Sequence, residues 1–174
     1  MWIRYTPLST LLLAAYLLGA PIALAGFSLT TTAAPEIAVT LNGSDQTVSY
    51  SMDLTVDNSG LGSTSSGWHL TITSTLFSTG GATPRTLSAG ASSVTALTSL
   101  CAVGPCIDPA NSSSYPIPVS AGSPAPTPLR FFSTPALTGL GTFTLTPIVT
   151  VEIPASAYAG AYASTLTLAL TSGP

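Results

Sequence analysis

Lysine is absent from this chain and histidine nearly so. Its 174 residues hold three arginines, six acids, one histidine, two cysteines and two tryptophans, and charged side chains make up only 5%. A chain this poor in cations cannot neutralise a run of phosphates, which excludes nucleic acid as a partner and disfavours anionic membrane surfaces. Low charge alone would suit a disordered chain, but disorder also needs low hydrophobicity, and here 45% of the residues are apolar. The chain folds, and its polarity comes from Ser, Thr and Asn rather than from ions.

Long apolar runs are confined to the N-terminus. Arg4 precedes an apolar stretch from Leu8 through Leu18, then Gly19-Ala20-Pro21, then Ala23-Leu24-Ala25. That three-part layout, with small residues at −3 and −1 of a cut after Ala25, predicts a secretory signal peptide over residues 1–25. A retained membrane anchor is the rival reading. Pro21, the Ala-x-Ala ending and the lack of a flanking basic cluster favour cleavage, leaving no stable membrane span after processing. The remaining 26–174, about 149 residues, is the size of one domain with its own core. It carries Arg85 and Arg130 against Glu36, Asp45, Asp53, Asp57, Asp108 and Glu152, a net charge of −4.

The two cysteines, Cys101 and Cys106, enclose Ala-Val-Gly-Pro. In an exported chain such a pair reads as a disulfide stapling a local loop. A metal site would need further ligands, and the sole histidine, His69, is distant in sequence. The Cys-x-x-Cys spacing of redox enzymes is also missing. So small a loop removes little chain entropy, so the bond should order a turn more than hold the domain.

What is present is two-fold periodicity. Val48, Tyr50, Met52, Leu54 and Val56 alternate with polar residues from Thr47 to Asp57. Trp68, Leu70, Ile72, Ser74 and Leu76 form a second row. Phe143, Leu145, Pro147, Val149, Val151 and Ile153 form a third, and Tyr162, Leu166, Leu168 and Leu170 a fourth. Successive strand residues point to opposite faces, so these are half-buried antiparallel strands. Ile37–Leu41, Val94–Leu97, Tyr115–Val119 and Leu129–Phe132 are shorter candidates, joined by Gly/Pro/Ser/Asn turns. Ala155–Ala159 is the best candidate for a helical fragment. Pro147 inside a strand pattern predicts an edge strand or a bulge. Seven to nine strands so spaced predict an all-β, antiparallel Greek-key β-sandwich of Ig-like type in one domain.

Catalytic chemistry finds little to work with. Asp53 and Asp57 are four strand positions apart, about 13 Å at strand rise, beyond the ~9.5 Å limit for paired glycosidase carboxylates. Pairing of distant segments, such as Asp57 with Asp108, stays open. His69 alternates with Trp68 and Leu70 and reads as an exposed strand histidine among threonines. There is no Gly-x-Ser-x-Gly elbow and no His/Cys cluster. Asp57-Asn58-Ser59-Gly60 has turn chemistry but lacks the repeated acids of a calcium loop. The reading is not an enzyme, with no catalytic residue, cofactor or metal. Thr71, Thr73, Thr75, Thr142, Thr144, Thr146, Thr165 and Thr167 read as solvent-facing strand residues, favoured there by their branched side chains. Stacking of these hydroxyl faces on glycans or neighbouring subunits is the functional alternative.

Four places in the chain carry a family resemblance. They are Val56-Asp57-Asn58; Gly67-Trp68-His69-Leu70-Thr71; Val151-Glu152-Ile153-Pro154 leading to Tyr158-Ala159-Gly160-Ala161-Tyr162; and the final Thr165-Leu166-Thr167-Leu168-Ala169-Leu170. In order and spacing they resemble the WxL-domain family of secreted bacterial cell-surface proteins. The likeness runs from about Leu41 to the end of the chain. It departs at Leu168-Ala169-Leu170, where the family's second Trp-x-Leu would fall, and at Ser59, where a basic residue is common. The resemblance implies a WxL-like sandwich attached non-covalently to cell-wall peptidoglycan or to a companion surface protein. It implies Trp68 and Leu70 as candidate binding residues.

Tyr158 is added from the residues themselves, as a ring able both to pack and to make contact. Trp68 has a plainer reading, since a tryptophan in phase with Leu70 and Ile72 most often packs inward. Self-association into a surface layer, fibre or matrix is the second functional expectation, since uncharged Ser/Thr faces suit assembly.

Overall fold

A computed structural model of the chain describes residues 10–18, 26–32, 36–60 and 66–173. The basic start of the leader, its Ala-x-Ala ending and loop residues 61–65 lie outside them. Twelve strands and no helix occur among the described residues. In chain order they are β1 (Thr10–Leu18), β2 (Ser28–Thr31), β3 (Glu36–Thr40), β4 (Gln46–Ser51), β5 (Leu54–Asn58) and β6 (Trp68–Thr75). There follow β7 (Ser92–Ile107), β8 (Ile117–Pro118), β9 (Ala121–Gly122), β10 (Leu129–Thr134), β11 (Leu140–Ile153) and β12 (Gly160–Ser172).

They form two mainly antiparallel sheets packed as a sandwich, as the alternation predicts. One sheet runs β10-β6-β12-β1-β3, with β9 on β6. The other runs β2-β5-β11-β7-β8, with β4 on β11. Each predicted apolar row faces the space between them. Met52, Leu54 and Val56 meet Phe143, Leu145, Val149, Val151 and Ile153 from one sheet. Trp68, Leu70, Ile72, Tyr162, Leu166 and Leu168 come from the other. At roughly 25 cal/mol per Å² of apolar surface removed from water, this interior is what offsets the entropy of ordering so uncharged a chain.

Several expectations change in detail. The predicted continuous strand Thr47–Asp57 breaks at Met52–Asp53 into β4 and β5. That break accounts for Pro147, which lies inside β11 with β7 on one flank rather than in an edge strand. On the other flank β5 pairs only as far as Leu145, and β4 begins at Ile148. The proline therefore falls where β11 has no partner strand on that side, and a missing N–H costs little there. A register shift follows at Ile148/Val149. Thr146 Oγ1 donates to Asp53 Oδ1 at 2.8 Å across the break, and Asp53 O accepts from the Thr32 N–H at 3.1 Å.

Ala155–Ala159 is not helical. It is a turn closed by the Ala157 N–H on Pro154 O at 2.9 Å; the six residues 154–159 between two long strands leave no room for a helical ladder. The threonine face is also less open than expected. Thr73 is buried and its hydroxyl lies 3.2 Å from Ser120 O and 2.9 Å from Pro126 O. The other seven threonines are partly covered.

The N-terminal apolar run, expected above to belong to a leader, is part of the sheet over Thr10–Leu18. β1 lies between β12, to which it is parallel over Leu11–Leu18, and β3, to which it is antiparallel over Thr10–Ala14. Its Leu13 is 2% exposed, opposite Tyr162 and Ile37. An uncharged apolar nonamer suits the interior of a sheet for the same reason that it suits a leader: neither environment tolerates an unpaired charge.

Candidate functional site

The motif residues converge on one carbonyl. Trp68 opens β6 and is completely buried, its ring stacked on Phe132 with centroids 4.9 Å apart and planes 23° apart. Its indole N–H donates to Gly139 O at 3.0 Å. Asn58, at the end of β5 and equally buried, donates from Nδ2 to the same oxygen at 2.8 Å. The Asp-Asn end of one strand and the Gly-Trp start of another are thus tied, across the two sheets, to the turn that opens β11.

Two glycines make the approach possible. Gly67 has φ 84°, and a Cβ there would stand 2.4 Å from Thr134 O. Gly139 has φ 63°, and a Cβ would stand 2.8 Å from Trp68 Nε1. Both positions require glycine twice over, for backbone angle and for space. The turn between them is braced by the Thr134 and Thr138 hydroxyls, 2.5 Å apart.

Leu70, the other matched residue, is also fully buried. Neither Trp68 nor Leu70 offers any surface to a ligand here, so of their two readings the interior one describes this structure. Burial by the facing sheet is the reason, in line with the inward phase of Trp68, Leu70 and Ile72 along the strand. Tyr158, in the β11–β12 turn, is 56% exposed. The Arg85 guanidinium lies 4.0 Å from its ring centroid, a cation–π contact. Tyr162 is interior, its hydroxyl donating to Tyr158 O at 3.2 Å. Tyr115 is half-buried and donates to Phe131 O at 2.9 Å, and burial raises its pKa.

The titratable groups are dispersed. His69 is partly buried with Nδ1 2.7 Å from Gly173 O, so it is engaged by the chain's own backbone rather than free among threonines. Asp57 accepts from the Ser59 N–H at 3.0 Å and from Thr142 Oγ1 at 3.3 Å. Hydrogen bonding from the Ser59 side chain is the main reason its pKa lies below the usual carboxylate value, with smaller help from the Ser59 N–H and Thr142. Among the described residues no group of three or more His, Cys, Asp or Glu side chains could hold a metal ion. A crevice among the described residues, bordered by Tyr50, Phe77, Ser92 and Ser164, has essentially no room for water.

The disulfide Cys101–Cys106 is formed, with Cα atoms 5.9 Å apart. It staples a feature that strand patterning missed. β7 extends well past the predicted Val94–Leu97, and none of its residues from Thr98 to Ile107 is buried. Here Leu100 is 72%, Val103 68% and Ile107 52% exposed, and Leu137 nearby in the chain turn before β11 is 56% exposed. The only advance signal for this end was the cysteine pair itself. No protein-family profile matches the chain, and no curated protein is similar to it in sequence.

Proposed function

We propose that the protein is a non-catalytic, exported surface module that attaches to the cell wall or to a companion surface protein. The observation that carries this reading is the stapled β7–β11 end, where a disulfide holds solvent-facing leucine, valine and isoleucine on a sandwich poor in charge. Exposed aliphatics held rigid in this way suit protein–protein contact better than sugar stacking, which uses open aromatic faces. Among the residues singled out by the WxL resemblance, Trp68 is interior, so of the two targets a companion protein fits better than peptidoglycan. A disulfide is compatible with an extracellular location.

Self-association into a layer or fibre is a second reading, favoured by the same aliphatic patch. The test is sedimentation of processed protein with purified peptidoglycan, alongside affinity capture from extracts of the cell surface. Capture of a defined surface protein, lost in a Leu100→Ser/Val103→Ser variant that still folds, is the expected result. Ligand-free growth of light scattering with concentration would transfer the conclusion to self-assembly. Saturable pelleting with peptidoglycan that survives both substitutions would transfer it to the wall.

A further inference from the structure

The leader strand occupies an interior position in its sheet. β1 supplies the neighbour of β12 over Gly160–Thr167, and among the described residues it is the only strand paired with β3. On its far side β12 is held by β6 from Leu166 to Ser172 and by Ser78 at Ala163. Export with cleavage after Ala25 would remove β1 whole. Two facing strand edges would then be left, one strand-width apart, over the buried residues Val39, Tyr162 and Leu166. Unpaired edges of this kind are templates for strand addition, with main-chain hydrogen bonds giving affinity and side-chain positions giving selectivity.

We infer that the processed protein is a strand acceptor. The slot between β12 and β3 takes an extended, uncharged, aliphatic segment of a companion surface chain, running parallel to β12 with an aliphatic residue at the Leu13 position. In the precursor, β1 holds that place. Three observations select this occupant. The resident strand shows the chemistry that fits: Thr-Leu-Leu-Leu-Ala-Ala-Tyr-Leu-Leu has no charge and no proline. Its register shows direction and length, eight residues paired with β12. The other described strands are each paired already, so a second copy fills the slot only by surrendering one of its own. The inference rests on the reading of residues 1–25 as a cleaved leader, and it adds to the proposed patch at Leu100 and Val103 a second partner contact, in the other sheet.

The test uses the full chain with residues 19–25 replaced by a site-specific protease sequence, folded and then cut. A second version carries Leu13→Asp, so that the cut strand leaves readily. The probe is a fluorescent peptide of the β1 sequence, flanked by lysines for solubility, with a Leu13→Asp peptide as control. The expected result is saturable one-to-one binding to cut but not uncut protein, with the control at least about tenfold weaker because it places a carboxylate in the core. Thermal stability should fall when the strand is lost and return with the peptide.

If the cut, strand-free protein keeps the uncut melting temperature and takes up no peptide, β3 has closed directly on β12 and the inference fails. A strand-swapped dimer of the cut protein, seen by light scattering, would overturn the choice of a companion chain. N-terminal sequencing of the exported protein tests the leader reading separately. An intact N-terminus would defeat that reading whatever the peptide does.

Discussion

The two regions that flank the start of β11 handle large side chains in opposite ways. Around Gly139, where β11 begins, Trp68, Phe132 and Asn58 are withdrawn from solvent, and two donors share one carbonyl. Along the adjoining extension of β7, Leu100, Val103 and Ile107 face outward and a disulfide holds the backbone. In the first region packing fixes the conformation. In the second a covalent bond fixes it, because few neighbours are available to do so. Aromatic residues in a motif are therefore not a sign of exposure in this protein, and aliphatic residues are not a sign of burial.

The comparison is broken most severely at Trp68. Trp68→Ala should destabilise the domain by about 3–5 kcal/mol, as for other fully buried aromatics, read by urea denaturation. A variant that folds with unchanged stability but loses binding would show that the ring is a contact residue after all. A second probe of the packed interior is pH. Burial pushes the Tyr50 hydroxyl up to about 12 from 10.0. Its folded value lies above its unfolded one, so the contribution is fully present below pH 10 and is lost as pH rises towards 12. That is worth up to about 2–3 kcal/mol by linkage. Alkaline unfolding monitored by circular dichroism should show this slope, and Tyr50→Phe should flatten it.

At the stapled end the effects shrink. Cys101→Ser with Cys106→Ser should cost no more than about 2 kcal/mol, the chain-entropy value for so short a loop. Proteolysis should then begin between Thr98 and Ile107 before it reaches the core. Smallest of all, Leu100→Ser with Val103→Ser should move the melting temperature little, since exposed substitutions usually stay within about 0.5 kcal/mol. Loss of partner capture without loss of stability would sharpen the contrast between the two regions, whereas a large destabilisation would erase it.

Legibility in the sequence followed the same division. The rows Val48 to Val56, Phe143 to Ile153 and Tyr162 to Leu170 were readable because alternation is a local property of an extended chain. Pro147 was read correctly as an anomaly, but its cause, the β4/β5 break opposite it, belongs to another strand. The meeting of Asn58 and Trp68 on Gly139 O joins residues 81 and 71 positions apart, and no spacing rule announces it. His69 was placed on the correct face, yet its engagement with Gly173 depends on where the chain returns.

The order of side chains alone determined a charge-poor, all-β fold with a short disulfide loop, because pleat, charge and cysteine spacing are written residue by residue. Only the packed sheets decided which faces are covered. They covered Trp68, left the end of β7 outside and set the apolar run Thr10–Leu18 between β12 and β3. Coverage depends on the element that arrives opposite, and strand pairing across a hundred residues of chain is a choice made by the whole sandwich.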